Sequence, residues 1–294
     1  MMAAARFQWR PATKTKKDFK MNRIAVIMTC YNRHKTTLSC LESVMSQDAY
    51  DASRIRIYLV DDASKDNTGG EVTRRFPQVR VIQGTGNLYW CGGMRTAWAE
   101  ASEWDPDGYL WLNDDTILLT GALGLVLGGF EAASRRFGRK IIIVGSTKDP
   151  VDGKWTYGGY RAAEPVMPGG GLEEIDTFNG NLVLVSRETF QSLGNLSDRF
   201  QHSFGDIEYG IRARRTGINM LLVGSFLGCC SANIQDAWCN PRERLIRRWQ
   251  IFHSPKGLRP SELAYFARQS VGCLWPLVVL KAYMKMLFPA LFRK

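Results

Sequence analysis

The sequence predicts an α/β fold with a mostly parallel central sheet flanked by helices, followed by a basic helical tail. Three observations predict it. Short β-branched runs alternate with segments of helical periodicity from residue 23 onward. The composition, 45% hydrophobic and 23% charged in 294 residues, supports a sizeable core and excludes collagen-like, low-complexity or wholly disordered chains. The net charge of +11 divides into +6 over residues 1–23, −4 over 24–237 and +9 over 238–294, so the basicity lies at the two ends.

Residues 1–22 lack periodicity and read as a flexible basic arm, with Met21 as an alternative first residue. RIAVIMTC (23–30) reads as a buried parallel strand. Leu38, Leu41, Val44 and Met45 then recur at helical spacing. RIYLVDD (56–62) is a second strand, and KDNTGGEVTRRF (65–76) a turn and helix. VRVIQ (79–83) is a third strand, GGMRTAWAEASEW (92–104) a helix, and YLWLNDD (109–115) a fourth strand. A helix over 121–137 and a strand over 141–149 follow. Turn formers crowd residues 149–177 and predict a loop or hairpin excursion over the site. Residues 178–194 read as strand then helix, 206–217 as a helix closed by Gly217, and 220–230 as the last strand. This organisation gives an arm (1–22), a main domain (23–237) and a C-terminal extension (238–294).

The extension carries an apolar run, Val271 to Phe292, interrupted by Lys281 and Lys285 four residues apart, with Trp275, Tyr283 and Phe288 nearby. Two mid-run lysines and the prolines Pro276 and Pro289 disfavour a spanning helix and favour one lying on an anionic membrane surface. Seven cysteines without a C-x-x-C pair, and a polar first twenty residues, predict a cytoplasmic protein, peripheral on the inner face of the cell membrane.

In open α/β sheets ligands bind at the carboxyl ends of the strands. Those ends read Thr29-Cys30-Tyr31-Asn32-Arg33, Asp61-Asp62 and Asn113-Asp114-Asp115. Neither G-x-G-x-x-G nor a P-loop follows the first strand, which argues against dinucleotide binding and against a P-loop phosphate cradle. Asp114 and Asp115 read either as turn carboxylates or as ligands for a hard cation shared with a diphosphate.

Four ordered pieces, TCYNR, VDDASKDNT, LNDDT and FGDIEYGIRARRTG, resemble a family 2 glycosyltransferase of the GT-A fold over roughly residues 23–232. The match is to the rhamnosyltransferase-like, surface-polysaccharide type, on a Rossmann-like sheet. The resemblance implies inverting transfer from a nucleoside-diphosphate sugar, UDP- or dTDP-linked, to a glycan or polyprenyl-linked acceptor, with Mn²⁺ or Mg²⁺. It implies that Thr29, Tyr31 and Asn32 line the nucleotide, that Asp61 and Asp62 bind base or ribose, and that Gly92, Gly93 and Arg95 pass beneath the diphosphate. Asp115 would touch the metal and Asp114 the ribose or diphosphate, with Asn113 departing from the three-carboxylate pattern. Asp206 would be the base. Glu208, Asn179 and Gly180 would face acceptor or donor sugar, with Trp155 and Tyr157 as stacking candidates. Where the family commonly has a metal-ligating histidine, this chain has Cys229-Cys230; His202 and His253 are left as candidates for that place, and Lys256 for the diphosphate. A sugar nucleotidyltransferase is the rival enzyme, argued against by the missing glycine-rich loop. A basic, non-enzymatic peripheral membrane protein is the other alternative. Nucleic-acid binding is not expected, because residues 24–237 are net acidic. Oligomeric state is left open.

Overall fold

The computed structural model describes residues 20–232 and 237–292. Strands β1 (Ile24–Cys30), β2 (Ile55–Asp61), β3 (Val79–Gln83) and β4 (Gly108–Leu112) alternate with helices α1 (His34–Met45), α2 (Thr68–Arg75) and α3 (Tyr89–Ser102). The short β5 (Ile117–Leu118), α4 (Ala122–Phe137) and β6 (Ile141–Lys148) follow. Then come β7 (Trp155–Tyr157), β8 (Gly159–Arg161), β9 (Glu164–Pro165), β10 (Glu173–Glu174), β11 (Thr177–Phe178) and β12 (Leu182–Ser186). Helices α5 (Arg187–Leu193) and α6 (Gly205–Arg215) lead to β13 (Asn219–Cys229), and α7 (Leu245–Phe252), α8 (Pro260–Val271) and α9 (Trp275–Leu287) close the chain.

The main sheet runs β10-β13-β6-β12-β4-β1-β2-β3. β3, β2, β1 and β4 are parallel, β13 is parallel to β6, and β12 is antiparallel between β4 and β6. Every residue of β1, β4 and β12 is buried, because helices cover both faces of the sheet. The period-2 alternation sorts the side chains of β1. Ile24, Val26, Met28 and Cys30 pack with α1 and α4, while Ala25 and Ile27 join a second core around Trp98, Trp111 and Tyr209. Truncating Trp111 there is expected to cost ~3–5 kcal/mol.

The excursion at 149–177 is more ordered than its turn-rich composition suggested. β7 pairs with β6, and β11, β8 and β9 form a separate three-stranded sheet. Residues 1–19 of the expected arm lie outside the described residues. Residues 20–22 depart from that expectation: Met21 is buried against Gly108, and the Asn22 amide donates to Asp107 Oδ2 at 2.8 Å.

The C-terminal extension folds as helices around Phe252, Leu263, Ala282 and Met286. It docks on the main domain where Phe204 stacks on Phe266 at 4.7 Å and Arg259 Nη1 bonds Gln201 Oε1 at 2.5 Å. Pro260–Leu287 is long and apolar enough to cross a membrane by length and composition. Gly272, at φ +61°, divides it into α8 and α9, which pack against each other around Leu263 and Met286.

Candidate active site

The parallel register aligns Cys30 with Asp61, and Leu112 faces Leu182 at the start of β12. The segments 31–33, 61–64, 113–115 and 179–181 therefore gather at one edge of the sheet. At that edge Asp114 is buried and Asp115 part-buried. Arg33 Nη1 bonds Asp114 Oδ1 at 3.0 Å and Asp115 Oδ2 at 2.5 Å. Burial is the main force raising the Asp114 carboxyl to about 7; Arg33 opposes it and Asp115 adds to it.

Asp206 stands in the first turn of α6, where the helix dipole favours a carboxylate. Its Oδ2 accepts from the Gly180 amide and its Oδ1 from the Ile207 amide, both at 2.8 Å. Burial still raises its pKa above the ordinary aspartate range, against those two bonds.

One short turn ties the two acidic centres together. Gly180 holds Asp206. The next residue, Asn181, accepts the Asn113 amide through its carbonyl at 3.1 Å and donates from Nδ2 to Cys230 Sγ at 3.6 Å. The Cys230 thiol in turn donates to Asp115 Oδ1 at 3.5 Å. Trp90 lies across the gap. Its Nε1 donates to Asn113 Oδ1 at 2.7 Å, and its far ring edge abuts Gly180, where an added Cβ would fall 2.6 Å from Cζ2 and Cη2. Only glycine lets the indole and the Asp206 side chain approach the same backbone.

Several residues singled out from sequence are committed elsewhere. Asp61 accepts from the Ser64 and Gly69 amides, and Asp62 from those of Gly86, Leu88 and Tyr89, so both buried carboxylates shape the loops around them. Arg95 donates through Nη1 to the carbonyls of Ser197 and Phe200 at 2.9 and 2.7 Å and so fastens the segment before α6. Gly92 and Gly93 lie inside α3, and a Cβ on Gly93 would collide with Thr29, so Gly93 serves a close helix–strand crossing. Glu208 is buried in an ion pair with Arg212 at 3.2 Å, which occupies the carboxylate expected to meet an acceptor. Tyr157 is buried, whereas Trp155 is only part-buried and meets Tyr160 edge-on at 5.6 Å. Trp155 Nε1 has no hydrogen-bond partner among the described residues. Tyr31 is exposed, and Asn32 takes a left-handed backbone that turns the chain after β1.

His253 belongs to the C-terminal helices, contacting the Trp249 carbonyl and the Tyr283 hydroxyl, and is not at the acidic edge. His202 packs edge-on to Tyr89. Burial drives its pKa down to about 4, with the Lys256 and Arg33 charges adding to the shift, so it is neutral at pH 7. Tyr160, missed from sequence, donates its hydroxyl to Asn179 Oδ1 at 2.9 Å, and Asp206 acts electrostatically on it. Its signal was an aromatic beside a Gly-Gly pair, which is indistinguishable from an ordinary turn.

The donor set suits a cation that arrives with a diphosphate. Burial pushes the Cys230 thiol up to about 12, and sulfur is a poor partner for a hard cation. Among the described residues no three His, Cys, Asp or Glu side chains group as a metal cage. A hard divalent ion commonly takes one or two carboxylates plus substrate phosphate oxygens, and Asp115 with Asp114 offers that pair.

Residues 25–162 match the family model described as Glycosyl transferase family 2. No curated protein matches the chain. Among solved structures, a mannosyltransferase from Pyrobaculum calidifontis in complex with GDP-Man and Mn²⁺ is similar, with a TM-score of 0.54 and 17% identity. The match covers 94% of this chain and 77% of that one. The family model covers a little under half of the chain, and the similar solved structure shares the GT-A-like fold.

Proposed function

We propose that this chain is a family 2 glycosyltransferase that moves one sugar, with inversion, from a UDP- or dTDP-sugar to a hydroxyl of a glycan carried on a polyprenyl diphosphate, in surface-polysaccharide assembly of the rhamnosyl type. The observation that carries the reading is the turn 179–181, whose neighbouring residues hold Asp206 on one side and, through Cys230, Asp115 on the other. Inversion needs a cation-holding site for the departing diphosphate and, facing the opposite side of the sugar, a base for the attacking hydroxyl.

In this reading the diphosphate lies against Asp115 and Asp114 with a divalent ion. When bound, Mn²⁺ or Mg²⁺ neutralises charge that develops on the leaving diphosphate; the GDP-Man and Mn²⁺ of the Pyrobaculum protein support that cofactor class. Tyr31, exposed beside the turn at Asn32, abuts the base. Trp90 forms the floor between the two carboxylate centres, and its hydrogen bond to Asn113 fixes the ring. Asp206 takes the proton of the acceptor hydroxyl as that oxygen attacks the anomeric carbon. The raised pKa makes Asp206 a stronger base than a solvated aspartate, and the Gly180 and Ile207 amides keep it ionised and aimed. Trp155 and Tyr160, which meet edge-on, are the acceptor-side aromatics.

The extension is proposed to lie on the inner face of the cell membrane. Leu245, Ile246 and Trp249 on α7, and Leu277, Leu280 and Phe288 at α9, are exposed beside the tail's arginines and lysines. The test is a panel of nucleotide sugars with Mn²⁺, scored for released nucleoside diphosphate, followed by the anomeric configuration of the product. Release of a nucleoside diphosphate from a UDP- or dTDP-sugar with an inverted linkage supports the reading. Release of pyrophosphate from a nucleoside triphosphate and sugar phosphate would favour a nucleotidyltransferase, and no turnover of any donor would remove the enzymatic reading.

A further inference from the structure

Arg33 follows β1 directly and reaches both carboxylates of the acidic pair through a single nitrogen, Nη1. The backbone around it is fastened on each side. Asn32 sits at φ +51°, its amide donates to Ser64 Oγ at 2.9 Å, and its Oδ1 accepts the Lys65 amide at 2.7 Å. The next residue, His34, donates its amide to Asp66 Oδ2 at 3.0 Å. The side chain these anchors launch is 41% exposed, while its partners Asp114 and Asp115 are 7% and 20% exposed. A half-exposed guanidinium thus closes the mouth of a buried carboxylate pair.

Both oxygens of Asp115 are engaged, one by Arg33 and the other by the Cys230 thiol. Those of Asp114 are engaged by Arg33 and the Thr37 hydroxyl. A bare cation approaching this pair must displace a charge-assisted bond at 2.5 Å and gains no phosphate ligands in return. A diphosphate arriving with the cation offers the guanidinium a new anionic partner as the carboxylates change theirs. Bonding through Nη1 leaves Nε and Nη2 as further donors for phosphate oxygens.

Resting on the reading of this edge as a nucleoside-diphosphate site, we propose that Arg33 is an internal counter-cation that holds the Asp114–Asp115 pair before the donor binds and moves to the diphosphate when the metal–nucleotide complex arrives. The consequence is a binding order: metal ion and nucleoside diphosphate bind together, each weakly alone.

The test is equilibrium binding of Mn²⁺ to the full chain, read from the electron paramagnetic resonance signal of free Mn²⁺, with and without UDP, dTDP, GDP, CDP or ADP and with no sugar present. In wild type, the nucleotide that binds should tighten Mn²⁺ at least tenfold. In Arg33→Gln, Mn²⁺ alone should bind about tenfold more tightly, while the nucleotide should bind about tenfold more weakly at saturating Mn²⁺. Opposite shifts are the signature, because general loosening of the site weakens both ligands. Arg33→Lys, which keeps the charge and loses the planar fork, should fall between and guards against a Gln variant that does not fold. Affinities in Arg33→Gln and Arg33→Lys that are unchanged, or that move together, would overturn the proposal while leaving the nucleotide site intact. Failure of every nucleoside diphosphate to bind wild type with Mn²⁺ would remove the site reading and this inference with it.

Discussion

Gly180→Ala tests the geometry that joins the two acidic centres. The added methyl would lie 2.6 Å from Trp90 Cζ2 and Cη2 and 3.2 Å from Asp206 Cβ. Ordinary carbon–carbon contact is ~3.5–4.0 Å, so ring and turn must separate by about 1 Å. The indole resists, because its Nε1 is bonded to Asn113 at 2.7 Å. If the turn moves instead, the 2.8 Å bond from the Gly180 amide to Asp206 is stretched beyond hydrogen-bond range. A displacement of this size at a reacting group costs ~10²-fold in rate, equivalent to ~2.7 kcal/mol of transition-state stabilisation. Overpacking takes a further ~1–3 kcal/mol from folding. The assay is kcat and KM for the preferred donor and acceptor alongside a thermal melt. kcat should fall about a hundredfold with donor KM within about threefold of wild type, since the donor site lies on the Asp115 side. Trp90→Phe, which removes the fused ring carrying the clash, should recover part of that loss when combined with Gly180→Ala. Activity within threefold of wild type for Gly180→Ala alone would refute the close approach of turn, indole and carboxylate.

Three other outcomes are expected. Arg95→Met removes two charge-assisted bonds to the segment before α6 and should lower stability by about 2 kcal/mol, or ~4–8 °C in Tm, with donor affinity nearly unchanged; a large rise in donor Kd without a change in Tm would restore Arg95 to the phosphate. The proposed base must be ionised, and burial raises its pKa, so kcat/KM should fall as pH drops through a limb displaced above the ordinary aspartate value of ~3.9; a limb at or below that value would contradict the assignment. Wild type should bind vesicles containing anionic lipid, less so at high salt, and Leu277→Glu with Leu280→Glu should weaken this at least tenfold; binding equal to that of neutral vesicles would exclude the membrane face.

Much of the site's position was legible because it depends on strand order and strand ends, which periodicity exposes. TCYNR, LNDDT and the helix bearing Asp206 do meet at one sheet edge. What was illegible is how each polar side chain is used. Asp62 and Asp115 are the same residue type at comparable strand ends, yet three backbone amides take up Asp62 while Asp115 meets a guanidinium and a thiol. Nothing in a linear sequence reports which amides converge on a carboxylate. The partners of Arg95 and Glu208, the Ser197 and Phe200 carbonyls and Arg212, are likewise fixed only by folding. Gly93 resembled part of a ligand-approach loop because a glycine needed for helix–strand crossing leaves the same trace. Arg33 stood in plain view after Asn32, but its reach to two aspartates over 80 residues away becomes visible only once β1 and β4 are paired.

The most direct measurement compares Asp206→Asn with Asp115→Asn in one pair of experiments, calorimetric binding of donor with Mn²⁺ and single-turnover transfer. Asp206→Asn should bind donor as wild type does and lose transfer by at least ~10²-fold, whereas Asp115→Asn should lose metal-dependent donor binding itself. If Asp206→Asn transfers at the wild-type rate, or both variants lose donor binding alike, the two carboxylates do not divide base and diphosphate roles across one cleft.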